Sequence, residues 1–489
     1  MNPFKQLLSQ TATYGLSSIV GRLLNYLLVP LYTRYFTTFE YGDVTLLYAY
    51  AALLLVALTY GMETAFFRFN NKSSTTTYST ALISLLLSSS LFVAFVFAYS
   101  QPIAQSLSFS NNPEYIRYFA LIIGLDVLAS ISFAKLREQQ KAVRFATIRL
   151  IGIFINIGLN LFFIVYCPLA LEKAHITADF INIIYSENIG IGYIFIANLI
   201  ASSITILLLI PQMIEEAWRF DTRLWKKMMT YALPLMVAGM AGITNETIDR
   251  VLLKYLLPAD ISASEIGLYS AFYKLSILMT LFIQTFRFAA EPFFFAQKKK
   301  ENAPLIYAQV MKYFSIVTAF IFLVVTIYYD LVIQFIGKSF HDDRGKIIVP
   351  ILLLANLLLG LYYNLSVWYK LTDNTRYGAV IALLGAVVTL VLNTLWIPTM
   401  GFVGSAWATL CCYLVMVLVS YFFSRKYYPI PYPLRRIGLY FSLMLVFYFL
   451  SLQWTSNMLI NSLYIIAFII IVVVLEQPKK SVNSSLKEV

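Results

Sequence analysis

Long apolar stretches, each of about 20 residues, follow one another from end to end of this 489-residue chain. A helix needs about 20 apolar residues to cross the hydrocarbon core of a bilayer. Only helices and closed barrels satisfy their backbone polar groups in lipid. Barrel strands would instead alternate in polarity over about ten residues. The stretches therefore predict an all-α polytopic membrane protein with about 14 transmembrane helices.

The predicted spans form two groups of six and a final pair. The first group covers 11–33, 41–66, 78–99, 115–133, 145–167 and 189–210, the second covers 228–256, 267–294, 308–335, 347–369, 377–397 and 402–423, and the pair covers 437–453 and 459–475. This grouping predicts five regions along the chain. They are an N-terminal lobe at 1–211, a cytoplasmic linker at 212–227, a C-terminal lobe at 228–424, two extra helices at 425–476 and a cytoplasmic tail at 477–489.

Composition excludes a soluble fold of this size. Hydrophobic residues make up 60% of the chain and charged residues only 12%, whereas soluble domains are about 25% charged. The net charge of +12 does not indicate nucleic acid, because the cations lie between apolar segments, where anionic lipid headgroups are the expected partners. Three Cys and two His fit neither a disulfide framework nor a zinc site, and we expect no metal or other cofactor.

The distribution of Lys and Arg predicts the orientation. Even-numbered loops and both termini together hold roughly four times as many cations as the odd-numbered loops, and cytoplasmic loops carry the excess of cations in membrane proteins. Both termini are therefore predicted to be cytoplasmic. The longest outer loop, 168–188, is too short to form a catalytic domain.

A short pattern occurs in both six-span groups. The first copy is Arg22, Pro30, Gly42 and Phe-Arg-Phe at 67–69, and the second is Arg250, Pro258, Gly267 and Phe-Arg-Phe at 286–288. Coincidence in a chain rich in Leu and Phe is the alternative explanation. A genuine repeat predicts two parallel lobes related by a pseudo-twofold axis along the membrane normal, with the substrate site between them.

Charged residues inside the spans are the strongest functional signal. Each costs roughly 2.5–3.5 kcal/mol at a helix centre and usually faces a cavity. The candidates are Arg22, Glu63, Asp126, Glu246, Asp249, Arg250, Lys254, Lys274, Arg287 and Glu291, with Arg68 at a span end. Arg22 stands out because its own span holds no acid to neutralise it.

Several of these charges have structural alternatives. Lys254 lies close enough to the outer boundary to extend to the interface, and Arg68 could serve only as a topology signal. Arg287 and Glu291 are four residues apart and could form a helix ion pair. Lys274 and Arg287 are separated by roughly 140° on an ideal helix, so a straight helix would not direct both at one narrow site.

Arginines at matching positions of two lobes predict a cationic chamber. Arginine binds phosphate through two parallel hydrogen bonds and keeps its charge in a low dielectric. The predicted ligand therefore carries phosphate or pyrophosphate. Polar residues at Tyr26, Asn156, Asn160 and Asn364 are candidates for lining the path of attached sugars.

Several segments resemble a known family. They are GRLLNYLLVPLYTRY and YGMETAFFRF in the first group of spans, and DRVLLKYLLP, IGLYSAFYKLSILMTLFIQTFRFAAEPFFF and GFVGSAWATLCCYLV in the second. The chain resembles the polysaccharide-export branch of the multidrug/oligosaccharidyl-lipid/polysaccharide exporter superfamily, which contains the O-antigen and oligosaccharide flippases.

This resemblance implies a function and a site. Such proteins move undecaprenyl-diphosphate-linked oligosaccharide repeat units across the bacterial cytoplasmic (inner) membrane by alternating access. Related lipid II flippases carry essential cavity arginines on the first span, and Arg22 matches that position. The implied pyrophosphate-binding residues are Arg22 and Arg250, followed by Arg287, Arg68 and Lys274. The candidates for coupling transport to H⁺ or Na⁺, or to the membrane potential, are Glu63, Asp126, Glu246 and Asp249.

Three other functions were weighed against this one. A lipid II flippase of the same superfamily would use a similar chamber. A cation-coupled multidrug exporter would need a chamber dominated by carboxylates, which the arginines oppose and Glu63 and Asp126 favour. A membrane polymerase or ligase would need a large outer domain, which the loops do not supply, so we expect a transporter and not an enzyme.

Overall fold

The computed structural model describes residues 19–70, 76–173, 178–215, 217–298, 300–372, 374–453 and 458–477. Helices dominate these ranges, which contain no strand. The prediction of an all-α protein is confirmed. The start of the predicted first span, at 11–18, and the tail from 478 onward lie outside the described residues.

The first half of the chain forms six long helices. They are α1 (19–26, continued by Leu28–Tyr35), α2 (Thr38–Thr59 and Met62–Phe69), α3 (Thr77–Ala98), α4 (Pro113–Glu138), α5 (Ala142–Leu161, extended by a π-helical turn at Phe162–Tyr166 and by Cys167–Glu172) and α6 (Gly192–Ile214). Short helices at Ser100–Ser106, Ala178–Ile184 and Glu187–Ile189 lie in the connections.

The second half forms eight long helices. They are α7 (Thr222–Leu256), α8 (Ala259–Leu275 and Ile277–Gln297), α9 (Ala303–Ile327), α10 (Gly345–Leu365 and Val367–Leu371), α11 (Arg376–Met400), α12 (Phe402–Tyr427), α13 (Leu434–Gln453) and α14 (Met458–Glu476). Short helices at Tyr329–Val332, Ile333–Phe335 and Lys338–Phe340 connect α9 to α10.

Twelve helices in the described ranges are long and apolar enough to cross a membrane. The two long elements outside this set are α1 and α7. The described part of α1 is short, and α7 carries Glu246, Asp249, Arg250 and Lys254. A polytopic membrane fold is therefore confirmed, whereas the predicted domain boundaries stay a prediction.

Two of the long helices, α2 and α8, are interrupted within their length. In α2, Tyr60 and Gly61 adopt the left-handed conformation, which ends one helical segment and starts the next. In α8, the Ser276 hydroxyl donates to the Tyr273 carbonyl at 2.7 Å, and the helix is interrupted at that residue. Such a local bond competes with the regular helical ladder. The break in α8 lies between Lys274 and Arg287, so one continuous helix does not carry both residues.

Helices α2 and α8 cross in very close contact. A Cβ atom at Gly42 would lie 1.8 Å from the Ala263 carbonyl oxygen, and one at Gly267 would lie 1.9 Å from the Thr38 carbonyl oxygen. The hydroxyls of Thr38 and Ser264 are hydrogen-bonded at 2.7 Å. Small residues allow such close helix crossings in membranes. The two glycines of the sequence repeat thus pack reciprocally against each other, as a twofold axis between two lobes would require.

The connection between α9 and α10 strengthens this end of the bundle. The Gly337 N–H donates to the Thr33 hydroxyl at 2.9 Å, which ties the connection to α1. Arg344 bridges Asp342 and Glu265 with contacts of 2.9 Å to each carboxylate. Hydrogen bonds from Arg344 hold the pKa of Asp342 below its usual range. These contacts close the end at which α1 meets α2 and α7 meets α8.

The final helix pair packs against α9. Near the end of α14, the Glu476 carboxylate contacts Lys312 of α9 and both Arg436 and Tyr440 of α13. Lys312 and Glu476 are largely buried. A buried charge is costly unless it is paired, and this cluster therefore orients the pair on the bundle.

Candidate anion-binding cavity

A cavity of about 910 Å³ lies between α1, α7, α8 and α10. This volume is near the upper end of the range for small-molecule sites. Its charged lining consists of three cations and two acids, which are Arg22, Lys274, Arg287, Glu246 and Glu291. Helices from both predicted lobes contribute, so the structure brings together residues more than 200 positions apart.

Arg22 and Lys274 have no ionic partner in the described part of the chain. Arg22 is exposed to the cavity, and neither cation makes an ion pair or a side-chain hydrogen bond there. The Tyr26 hydroxyl donates to the Lys274 carbonyl at 3.0 Å, and its ring stacks on Phe335 at 4.6 Å. Tyr26 is one turn after Arg22, so the same contact holds both cations at the α1–α8 boundary.

Arg287 is positioned by an aromatic ring and an acid. Its guanidinium lies 4.6 Å from the centre of the Tyr363 ring, and its Nε lies 3.5 Å from the Glu291 carboxylate. Glu291 also pairs with Lys370 of α10. Half of the Arg287 side chain stays exposed, so it remains accessible to a ligand while Glu291 is shared between two cations.

Lys274 and Arg287 both line this cavity. The argument that a straight helix would not direct both at one narrow site does not apply here, because neither of its conditions is met. Two features explain the difference. Helix α8 is interrupted at Ser276, between the two residues, and the cavity is elongated along α8 as far as Phe295.

Arg250 lies outside the cavity lining. It is buried against Asp249 at 3.0 Å and the Ser270 hydroxyl at 3.3 Å. Its guanidinium is 5.1 Å from the centre of the Tyr273 ring, and Asp249 also accepts from the Tyr269 hydroxyl at 2.7 Å. This arginine is neutralised internally, and its predicted pyrophosphate role stays a prediction.

The two matched arginines of the repeat therefore have opposite environments. The residue before Arg250 is Asp249, which neutralises it, whereas the residue before Arg22 is Gly21. Gly21 packs closely on Ile153 of α5 and offers no counter-ion. Of the pair, only Arg22 carries its charge into the cavity.

The other predicted residues are engaged elsewhere. Arg68 is exposed at the end of α2, 4.7 Å from the centre of the Tyr231 ring. Glu63 pairs with Arg137 of α4, and Asp126 accepts from the Ser202 hydroxyl at 2.9 Å. None of these three lines the cavity. Within the described ranges, no cluster of three or more His, Cys, Asp or Glu side chains is placed to hold a metal ion.

Glu246 differs from the other acids because it faces two cavities. It lines the large cavity and a smaller one of about 240 Å³ between α7, α8, α10, α11 and α12. Its carboxylate makes no ion pair or hydrogen bond with any described residue. The positive charges that act on this carboxylate are those of Arg22, Arg287 and Arg250.

Neutral polar residues complete the lining, and sequence reasoning found few of them. Of the predicted sugar-path residues, Tyr26 lines the cavity, whereas Asn160 bonds Tyr32 and Asn156, and Asn364 bonds the Gly360 carbonyl. The missed residues are Tyr273, Thr280, Gln284, Asn356 and Tyr363. Neutral residues inside a span cost less than charges, so their presence alone does not mark a site.

Comparison with known proteins gives a family and a fold. The family model described as polysaccharide biosynthesis protein matches residues 7–298. Among curated proteins, none matches significantly.

Among solved structures, the chain is similar to the lipid II flippase MurJ in an inward closed conformation, with 14% identity, a TM-score of 0.68, and coverage of 94% of this chain and 98% of MurJ. An inward-facing multidrug resistance MATE transporter of the MOP superfamily shares 12% identity with this chain, with a TM-score of 0.61. The match covers 85% of this chain and 94% of that transporter.

The chain also shares 14% identity, with a TM-score of 0.57, with a MOP superfamily transporter from Pyrococcus furiosus that is described as having a binding pocket of reverse polarity. The match covers 85% of this chain and 95% of that transporter. Identities this low establish the fold alone.

Proposed function

We propose that this chain, which belongs to the polysaccharide biosynthesis protein family, is a flippase for lipid-linked oligosaccharides. The substrate would be a polyprenyl-diphosphate-linked oligosaccharide, such as an undecaprenyl-diphosphate repeat unit. It would cross from the inner to the outer leaflet of a bacterial cytoplasmic membrane. The family and the transporter fold support a flippase or exporter, and the cavity chemistry supports this substrate class.

The observation that carries the proposal is the pair of unpartnered cations, Arg22 and Lys274. A membrane-embedded charge costs roughly 2.5–3.5 kcal/mol, and two that form no ion pair with a described residue would be stabilised by an anionic ligand. A diphosphate supplies several anionic oxygens. Arg22 would bind it through two parallel hydrogen bonds, Lys274 would bind as a point charge, and Arg287 would contact it from the side.

The closed end of the bundle supports a direction of access. The contacts of Gly42, Gly267 and Gly337 close the end that the distribution of cations predicts to be outside. The cavity extends along α8 toward Phe295, near the predicted cytoplasmic end. We therefore infer that this conformation takes substrate from the cytoplasmic leaflet, and that relative rocking of the two lobes transfers it. Both termini would then be cytoplasmic.

The lipid tail needs a path from the cavity into the bilayer. Leu23 and Leu27 are exposed on α1, and Leu278 and Phe288 are exposed on α8. Both helices line the cavity. The tail would therefore leave between them, with the sugars in the aqueous cavity. Coupling to H⁺ or Na⁺ remains part of the proposal, with Glu246 as the carboxylate in contact with the cavity.

The substitution Lys274→Gln tests the lysine in this clamp. We expect it to weaken binding of a sugar-free polyprenyl diphosphate by about 10- to 100-fold, because a hydrogen bond to a charged group contributes about 1.5–3 kcal/mol. Isothermal titration of the purified protein in detergent would measure the affinity. The matched control, Lys346→Gln, removes a cation that is 62% exposed at the start of α10, and we expect it to bind like the wild type. Equal affinities for all three proteins would contradict the proposed clamp.

A further inference from the structure

Glu246 is the feature of the cavity that a diphosphate clamp does not explain. A carboxylate beside the proposed anion site repels the ligand, and Glu246 has neither an ion pair nor a hydrogen bond among the described residues to account for it. Glu291, the second acid of the cavity, is held by Arg287 and Lys370. The ligand itself would therefore have to supply a neutral or cationic hydrogen-bond donor to the free carboxylate of Glu246.

The small cavity beside Glu246 has the character of a sugar site. Its walls include the free carboxylate of Glu246 and the phenol rings of Tyr362, Tyr363, Tyr369 and Tyr413. The two cations in its walls, Arg287 and Lys370, are both paired with Glu291. Tyrosine combines an apolar ring face with a polar tip, which suits the C–H face and the hydroxyls of a pyranose. The small cavity shares Glu246, Arg287 and Tyr363 with the large one. A sugar bound there would therefore adjoin a diphosphate held by Arg287.

Asn356 independently indicates that the ligand carries a hydrogen-bond donor. Its side chain is 1% exposed and lines the large cavity. The Nδ2 atom donates to the Ser276 hydroxyl at 3.3 Å and the Leu352 carbonyl at 2.9 Å, whereas the buried Oδ1 has no partner among the described residues. An unsatisfied buried acceptor is costly. A fully ionised diphosphate has no donor to offer, but a sugar hydroxyl or amide N–H does.

We propose that Glu246, which lines both cavities, and Asn356, which lines the large one, form the acceptor side of a subsite for an uncharged, hydroxyl-bearing sugar attached to the diphosphate. This inference rests on the proposed function and deepens it. Glu246 then acts as a specificity residue. It accepts hydrogen bonds from a neutral sugar and repels a sugar that carries its own carboxylate. Building repulsion against the wrong ligand is a general route to specificity.

Three ligands with the same short polyprenyl chain would test the subsite. One carries the diphosphate alone, one carries a neutral hexose on the diphosphate, and one carries a hexuronic acid. We expect the wild type to bind the neutral-sugar ligand at least about tenfold more tightly than the uronic acid ligand, since close like charges oppose binding. Glu246→Gln should shrink that difference by about tenfold, mainly by improving the affinity for the uronic acid ligand.

The control Glu291→Gln removes the same charge from the same cavity, but from an acid that is already paired with two cations. It should change the affinities for all three ligands alike. A second variant, Asn356→Leu, should weaken binding of both sugar-bearing ligands and spare the sugar-free one. This variant keeps the test decisive if Glu246→Gln does not fold.

The outcomes separate the two proposals. If Glu246→Gln shifts the affinities for all three ligands equally, or if Asn356→Leu weakens the sugar-free ligand as much as the others, the subsite is overturned and the diphosphate clamp stands. If the wild type binds none of the three ligands, the proposed function itself fails, and the subsite fails with it.

Discussion

Gly42→Val is expected to destabilise the protein strongly and to abolish transport. A Cβ at this position would lie 1.8 Å from the Ala263 carbonyl oxygen and 3.0 Å from the Gly267 backbone nitrogen. Both are backbone atoms, so no side-chain movement relieves the overlap, and α2 must move away from α8. Overpacking of a dense contact typically costs about 1–3 kcal/mol and occasionally more, and this contact is tighter than usual. The end of the bundle that this crossing closes should therefore open or unfold.

Thermal unfolding in detergent and transport in proteoliposomes would measure this effect. The matched control is Gly158→Val on α5, where an added Cβ would meet nothing within 4 Å. We expect the control to unfold close to the wild-type temperature and the Gly42 variant well below it. Equal stability and equal transport for both variants would show that the α2–α8 crossing is looser than described.

Of the substitutions at charged residues within the spans, Asp249→Ala should be the most destabilising. It leaves the Arg250 guanidinium buried without its acid, and it leaves the Tyr269 hydroxyl without its acceptor. Removing one partner of a buried ion pair costs about 3–5 kcal/mol. We expect poor expression and a large fall in unfolding temperature.

The double variant Asp249→Leu with Arg250→Met separates stability from function at this pair. Replacing a buried ion pair by apolar residues is often neutral or stabilising, so the double variant should recover most of the stability lost in Asp249→Ala. If Arg250 acts only in folding, transport should recover as well. A stable double variant without transport would favour the direct pyrophosphate role predicted from the sequence. A double variant as unstable as the single one would contradict the pairing.

Much of the fold could be predicted from the sequence because the bilayer imposes one length and one polarity on each span. The repeat also predicted a relation that the structure shows in space, since Gly42 and Gly267 meet each other. Helix ends were less predictable. Helix α7 begins at Thr222, inside the predicted linker, because Asp221 caps it by accepting from the Arg223 and Leu224 N–H groups.

The site was harder to predict because the sequence shows which residues are charged but not which of them form ion pairs. Arg22 and Arg250 occupy matching positions in the repeat, yet Asp249, which is buried beside Tyr269, neutralises Arg250 inside the protein. Glu63 is neutralised by Arg137, which is 74 positions away. Such pairings depend on helix packing, which periodicity does not encode. The break at Ser276, which lies between Lys274 and Arg287, carries no Pro or Gly that would mark it in the sequence.

The most direct test of the central claim, that Arg22 binds diphosphate, is the affinity of Arg22 variants for sugar-free polyprenyl diphosphate, measured together with glycan translocation at equal expression. We predict that Arg22→Gln lowers the affinity by about 10- to 100-fold and translocation with it. Arg22→Lys, which keeps the charge but loses the paired hydrogen bonds, should fall between. The control Arg34→Gln, at the other end of α1, should match the wild type. Wild-type affinity and translocation in Arg22→Gln would contradict the account.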